Sequence, residues 1–329
     1  MRFFALDPDP AQGRAVAAAG GFRLDPHEMR PFEGGEHKGR PLVPVAGERV
    51  AVLAALHAHA GLSTNDLLMR LLFFVAACRD HGAASVAAIC PLMPYARKDR
   101  RTKPLDPVGA RYVAQLFEAV GTRAVATVEV HQPAAFDSGF RIPALRLDLR
   151  AALVAHIRAA SAGRPVALVS PDLGGAKRVQ LLAESFPEPE RSDLALGFCE
   201  KRRSEGVVSG DLFAGDVAGR DAWIVDDMIA GGGTMRRAIA TVRAAGARQV
   251  RLAATHALFA PATLGSLLEA GCAGVTVSDT TAPLAEELRG RRGLDILPVA
   301  PLLAAAAVRL TAGPEPGGGL HEEGATPTS

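Results

Sequence analysis

Two adjacent carboxylates, Asp226 and Asp227, close the short apolar run Ala222 to Val225, and Gly231, Gly232, Gly233 and Thr234 follow them. Carboxylates repel phosphate, but they accept hydrogen bonds from sugar hydroxyls and can face a divalent cation. Consecutive glycines let a backbone approach a ligand closely. Met235 to Ala245 has helical composition and Gly246 follows as a stop. A helix start supplies free N–H groups and a positive dipole end, which suit a phosphate. Strand, glycine loop and helix together suggest a sugar phosphate, with hydroxyls on the acids and phosphate on the glycines. No Gly-Lys-Ser/Thr follows the glycines, so this is not the Walker pattern. An ordinary glycine turn with two solvated acids is the plain alternative, and the rest of the chain decides between them.

Other segments carry chemistry-bearing side chains. Arg97, Lys98, Arg100, Arg101 and Lys103 crowd together after the apolar patch Pro91 to Pro94. Such cations repel unless solvent or an anion separates them. A charge run is most often a solvated loop, but arginine forks also bind phosphate bidentately. His131 and Asp172 each end an apolar run and precede a loop, as a satisfied histidine or a turn aspartate would. Glu200-Lys201-Arg202-Arg203 lies in FCEKRRSEGVVSGD, which has little periodicity and reads as a charged surface loop.

Six segments agree on one family. The 222–235 stretch resembles the phosphoribosyl-diphosphate motif of phosphoribosyltransferases. PYARKDRRTKP (94–104), EVHQPAAFDSGF (129–140), SPDLGGAKRV (170–179) and THALFAPA (255–262) resemble one branch of that superfamily, the ribose-phosphate diphosphokinases, in order and spacing. The upstream PFEGGEHKGRP (31–41) is similar to that family's Phe-x-Asp-Gly-Glu segment. The resemblance implies two phosphoribosyltransferase-like domains, each a mostly parallel α/β sheet flanked by helices. It implies diphosphate transfer from ATP to ribose 5-phosphate for nucleotide biosynthesis, giving phosphoribosyl diphosphate and AMP. ATP would meet Phe32, Glu36, Arg97, Lys98 and Arg100. Magnesium would be faced by His131 and Asp172. Ribose 5-phosphate would meet Asp226, Asp227 and the loop Gly231, Gly232, Gly233 and Thr234. A loop carrying Lys201 and Arg203 would close over the transferring diphosphate. A homo-oligomer, dimer or larger, is implied as well.

This chain departs from the family pattern at Gly34, where an aspartate is usual, at Lys98, where glutamine is usual, and at Ala230 and Gly231, where an acid and a threonine are frequent. The first two bear on base recognition and the last two on the sugar phosphate. Gly34, Lys98 and Ala230 also favour a rival, a catalytically weak regulatory paralogue; retention of Lys201, Arg203, His131 and Asp172 argues against it. A salvage phosphoribosyltransferase would share the glycine loop but has no need of segments 94–104 and 129–140.

The elements that must position these groups follow from periodicity. Val50 to Leu53, Ser85 to Ile89, Ala124 to Val130 and Val166 to Val169 read as strands. Ser63 with Asp66 resembles a capping box, opening a helix that runs to about Arg79. Pro107 to Val120 and a segment from Ala176 read as helices. Alternating strands and helices predict parallel sheets. Domains are expected at 1–148 and 149–311, with a Gly- and Pro-rich disordered tail over 312–329. A net charge of +2 argues against a dedicated nucleic-acid or membrane-surface protein. Cys78, Cys90, Cys199 and Cys272 lack metal-ligand spacing and read as reduced core thiols. Arg2 is followed by only a brief apolar run, and no apolar segment approaches about 18 residues, so neither a signal peptide nor a membrane span is expected. The expected location is the cytoplasm.

Overall fold

The computed structural model describes residues 1–8, 10–204 and 207–312; side chains of 201–204, 207–211 and 283–285 are excluded from the description. The chain divides into two compact units. One holds Met1–Asp148, Thr280–Pro283 and the stretch from Pro298; the other holds Leu149–Asp279 and Leu284–Leu297.

The first unit is built on β1 (Arg2–Ala5), α1 (Ala11–Gly20), β2 (His27–Pro31), β3 (His37–Pro41), β4 (Arg49–Leu53), α2 (Thr64–Asp80), β5 (Ser85–Ile89), α3 (Gly109–Ala119), β6 (Ala124–Val128), α4 (Pro133–Gly139) and β7 (Ala144–Leu147). Its sheet has the order β1-β4-β5-β6-β7, with every pairing parallel. The inner strands are buried on both faces, which explains their nearly continuous apolar composition. The capping box at α2 forms: the Asp66 N–H donates to Ser63 Oγ at 3.2 Å and the Ser63 N–H donates to Asp66 Oδ2 at 2.8 Å. α3 starts at Gly109, two residues after the expected Pro107, and β6 ends at Val128, because Glu129 turns into a left-handed conformation (φ 45). β2 and β3 form a separate antiparallel hairpin that periodicity did not reveal.

The second unit contains α5 (Arg150–Ser161), β8 (Val166–Ser170), α6 (Ala176–Glu184), α7 (Glu190–Asp193), β9 (Ala195–Ser204), β10 (Val207–Gly215), β11 (Asp221–Ile229), α8 (Gly233–Ala244), β12 (Gln249–Ala257), α9 (Pro261–Glu269), β13 (Val275–Ser278), α10 (Ala282–Leu288, which begins in the first unit) and β14 (Leu294–Leu297). The sheet order is β10-β9-β8-β11-β12-β13-β14, parallel except for the β9–β10 hairpin. The order reverses between β8 and β11. Ligands of open α/β sheets bind at the carboxyl ends of strands flanking such a reversal.

Two expectations change. The last helix, α11 (Ala300–Thr311), does not belong to a 149–311 domain. It packs on α1, β4 and β5 of the first unit, burying Leu303, Ala304, Ala306, Ala307 and Leu310, and Arg49 Nη1 donates to the Thr311 carbonyl at 3.1 Å. Its small apolar residues suit close packing on a sheet already continuous with the core. Lys201 and Arg203 are not in an irregular loop: their backbones pair with Asp211 and Val208 in the β9–β10 hairpin. The expected tail lies outside the described residues beyond 312.

Candidate active site

The acid pair sits within β11 rather than after it. The strand continues through Ile229, and Asp226 pairs in register with Ala254 of β12. Neighbouring side chains of a strand diverge, yet one guanidinium spans both acids. Arg178, on α6, places Nη1 3.1 Å from Asp226 Oδ1 and Nη2 3.8 Å from Asp227 Oδ1. Asp227 is buried and Asp226 partly so. Burial pushes the Asp226 carboxyl up and repulsion from Asp227 adds to it, while Arg178 opposes; the result is about 7. An acid pair held this way is poised to exchange its partner for a cation or a set of hydroxyl donors.

The glycines divide by role. Gly232 has φ +72, and a Cβ there would lie 2.8 Å from Thr263 Cγ2, so the fold itself requires glycine. Cβ atoms at Gly231 or Gly233 would meet nothing within 4 Å among the described residues. α8 begins directly at Gly233 with no side-chain cap, leaving its first N–H groups without a side-chain acceptor. Thr234 lies in the first turn, its Oγ1 3.5 Å from Arg237 Nη2. Open space above uncapped helix amides is the kind of environment that suits a phosphate.

On the other side of the sheet reversal, Asp172 follows β8. Its Oδ1 accepts from the Gly175 N–H at 3.2 Å, and Ser170 Oγ donates to its carbonyl at 2.5 Å. A Cβ at Gly175 would come within 2.5 Å of Ser170 Oγ, so this turn too is closed by glycine. Arg178 begins one helical turn further on. It thus ties the Asp172 turn to the acid pair, a link that sequence inspection missed because one arginine in a helix carries no pattern. A short apolar stretch ending in two acids next to a second strand-end acid is the signal that calls for such a cation.

In the first unit the chemistry-bearing groups gather at the carboxyl edge of the sheet, after β5 and β6. Ala96, Asp99 and Ala110 line one small pocket with Val130, Gln132 and Phe136, so the cation run and the segment bearing His131 are neighbours. Arg97, Arg100 and His131 are exposed. Phe32 and Glu36 face each other across the tip of the β2–β3 hairpin, where the Phe32 N–H donates to the Glu36 carbonyl at 2.7 Å. Phe32 is 41% exposed, with the Arg30 guanidinium 4.9 Å from its ring centroid, so one aromatic face is engaged. Gly34 adopts φ 84, which a side chain tolerates poorly. Lys98 does not stand free: its Nζ donates to Asp106 Oδ2 at 3.1 Å. The side chains of Lys201 and Arg203 lie outside the described ones.

No cluster of three or more His, Cys, Asp or Glu able to hold a metal occurs among the described residues. Magnesium needs only one or two protein ligands when phosphate oxygens and water complete its shell, and Asp172 and the half-buried acid of β11 are oxygen donors of the kind it prefers. No described helix is long and apolar enough to cross a membrane.

Residues 1–121 match the family model of the N-terminal domain of ribose phosphate pyrophosphokinase, and residues 140–264 match the phosphoribosyl transferase domain. The chain is 31% identical over 314 residues to a ribose-phosphate pyrophosphokinase of Caldanaerobacter subterraneus subsp. tengcongensis, covering 95% of each. It is 30% identical over 313 residues to the enzyme of that name from Haemophilus influenzae, covering 94% of this chain and 96% of the relative. Its fold superposes on the crystal structure of phosphoribosylpyrophosphate synthetase from Mycobacterium smegmatis with a TM-score of 0.82 and 28% identity, over 93% of this chain and 97% of that one. The two units, the glycine loop after β11 and full-length similarity agree: this chain belongs to the ribose-phosphate pyrophosphokinase family.

Proposed function

We propose that this chain transfers the terminal diphosphate of ATP to the anomeric hydroxyl of ribose 5-phosphate, giving phosphoribosyl diphosphate and AMP. The observation that carries the reading is the second unit's site: one buried and one partly buried acid beside open space over uncapped helix amides. Asp226 and Asp227 accept from the ribose hydroxyls. The N–H groups of Gly231, Gly232, Gly233 and Thr234 take the 5-phosphate. The anomeric oxygen attacks the β-phosphorus, the bond to the α,β-bridging oxygen breaks, and AMP leaves.

Little covalent work falls to the protein; positioning and cationic stabilisation of developing charge do most of it. Arg97 and Arg100 hold the triphosphate, and the exposed ring of Phe32 with Glu36 receives the base. Lys201 and Arg203 meet the transferring diphosphate. His131 and Asp172 are each assigned to magnesium, which screens phosphate charge when bound with ATP. Homo-oligomeric assembly and a cytoplasmic location complete the reading on the strength of the family resemblance.

The assignment of the sugar phosphate is tested by titration calorimetry on Asp226→Asn with Asp227→Asn. Each charged hydrogen bond contributes roughly 1.5–3 kcal/mol, so ribose 5-phosphate affinity falls at least tenfold while ATP affinity holds. Unchanged sugar-phosphate binding would overturn the assignment.

A further inference from the structure

The five cations of 97–103 repel one another, and what fixes their loop is a residue outside the run. Asp106 Oδ2 accepts from the Thr102 N–H at 3.2 Å, the Lys103 N–H at 3.1 Å, Thr102 Oγ1 at 2.7 Å and Lys98 Nζ at 3.1 Å. The Asp106 carbonyl accepts from Arg101 Nε at 3.3 Å. An exposed lysine–carboxylate pair by itself contributes little. Two backbone amides and a hydroxyl on the same oxygen make this a loop clamp, because they fix the chain as well as the charge. Hydrogen bonds from Thr102 and then Lys98 hold the Asp106 carboxyl down, to about 2, so it is ionised at any physiological pH.

The backbone is shaped for this contact. Leu105, directly before Asp106, has φ 67 although its side chain is 98% exposed and gains no packing there. A non-glycine residue held left-handed is strained and persists where its surroundings require it. At the other end of the run Tyr95 has φ 59, and its hydroxyl donates to Asn65 Oδ1 on α2. Both ends of the loop are therefore pinned, and the Ala110 N–H donates to the Lys98 carbonyl at 3.2 Å. Arg97 and Arg100 have no side-chain partner among the described residues. Lys98, which replaces the family's glutamine, has its charge matched inside the loop.

We propose that Asp106 is a positioning residue for ATP: it clamps the cation loop and neutralises Lys98, so that Arg97 and Arg100 are presented to the triphosphate in one conformation. This rests on the assignment of ATP to that loop. A pre-ordered loop binds without first losing conformational freedom, which is the usual origin of affinity gained by preorganisation.

The test is calorimetry with ATP, steady-state kinetics and amide hydrogen exchange on the full chain, comparing wild type, Asp106→Ala, Asp106→Asn and Arg97→Ala. In Asp106→Ala the ATP Kd rises about tenfold while turnover at saturation and the KM for ribose 5-phosphate stay within about threefold, since only ATP meets the loop. The Thr102 and Lys103 amides exchange faster in that variant. Asp106→Asn keeps an acceptor and recovers part of the affinity. In a Lys98→Gln background Asp106→Ala weakens ATP less than in wild type. An ATP Kd in Asp106→Ala equal to or tighter than that of wild type overturns the proposal, whatever the amides do; a tighter one would mean that Asp106 competes with phosphate. If wild type fails to bind ATP, or Arg97→Ala binds it equally well, the ATP assignment itself falls and the proposal falls with it.

Discussion

Arg178 Nη1 lies 3.1 Å from Asp226 Oδ1, so a helix of one βα unit neutralises an acid on the strand across the sheet reversal. With Asp226 at about 7, its ionised form is complete only above neutrality. The ionised carboxylate is the stronger acceptor for ribose hydroxyls. Ribose 5-phosphate affinity is therefore full above that value and declines as pH falls through it. Arg178→Ala removes the group that favours ionisation, so the inflection moves up and binding at neutral pH weakens, recovering as pH rises. Arg178→Lys keeps the charge and shifts less. Calorimetry over roughly pH 6 to 9 measures this, with Asp226→Asn as the control that removes the inflection. An inflection that stays in place in Arg178→Ala contradicts the electrostatic role.

The glycines separate fold from function. Gly232→Ala combines a φ of +72 with a Cβ 2.8 Å from Thr263 Cγ2; it should destabilise by about 1–3 kcal/mol, read as a lowered Tm. The Cβ of Gly231→Ala would meet nothing within 4 Å among the described residues. The substitution should leave Tm within a few degrees yet weaken ribose 5-phosphate, because the methyl enters the space assigned to phosphate. Equal effects of the two on Tm would remove the distinction.

Lys201→Ala should lower turnover far more than it weakens ATP. A lysine brought to a bridging or leaving oxygen acts as charge builds there, and losing such a contact lowers turnover and specificity constant together. By analogy with arginine fingers the loss is on the order of a thousandfold. Arg203→Ala should behave alike, and the double variant should fall short of the product of the two effects. The two residues lie on one strand, two positions apart, and pair with β10, so they move together. Turnover within a few-fold of wild type would reduce the hairpin to a surface feature.

Gly34 bears on the choice of base. It stands where the family has an aspartate, and its φ of 84 at the hairpin tip puts strain on a reversal of that change. A site lacking an acceptor rejects a base with different polar edges less strongly. Comparable kcat/KM for ATP and GTP is the expected outcome; strict ATP dependence would mean that another group reads the base.

How far these features could be read beforehand depended on locality. The capping box of Ser63 and Asp66 and the apolar runs of β4, β5 and β8 are local patterns, and they form as their residues dictate. The strand–glycine loop–helix to which the sugar phosphate is assigned stands out in the sequence because acids, glycines and a helix start adjoin in the chain. The β9–β10 hairpin was not, because CEKRRS has no alternation that distinguishes a paired strand from a solvated loop. Arg178 and Asp106 carry no local signal for a different reason: each matters through partners brought near by folding, and an isolated arginine or aspartate has no signature of its own. The placement of α11 on the first unit is the extreme case, since Thr311 meets Arg49 across 262 residues of chain.

The proposed reaction differs from an ordinary kinase reaction in which phosphate bond breaks. Pure protein incubated with ribose 5-phosphate and MgATP should release AMP and a diphosphorylated ribose in equal amounts, resolved by anion-exchange chromatography and phosphorus NMR. Attack at the γ-phosphorus would instead give ADP and a monophosphate ester, and would contradict the account. Absence of both products, from protein shown to bind both substrates, would contradict it too and leave the chain a regulatory relative.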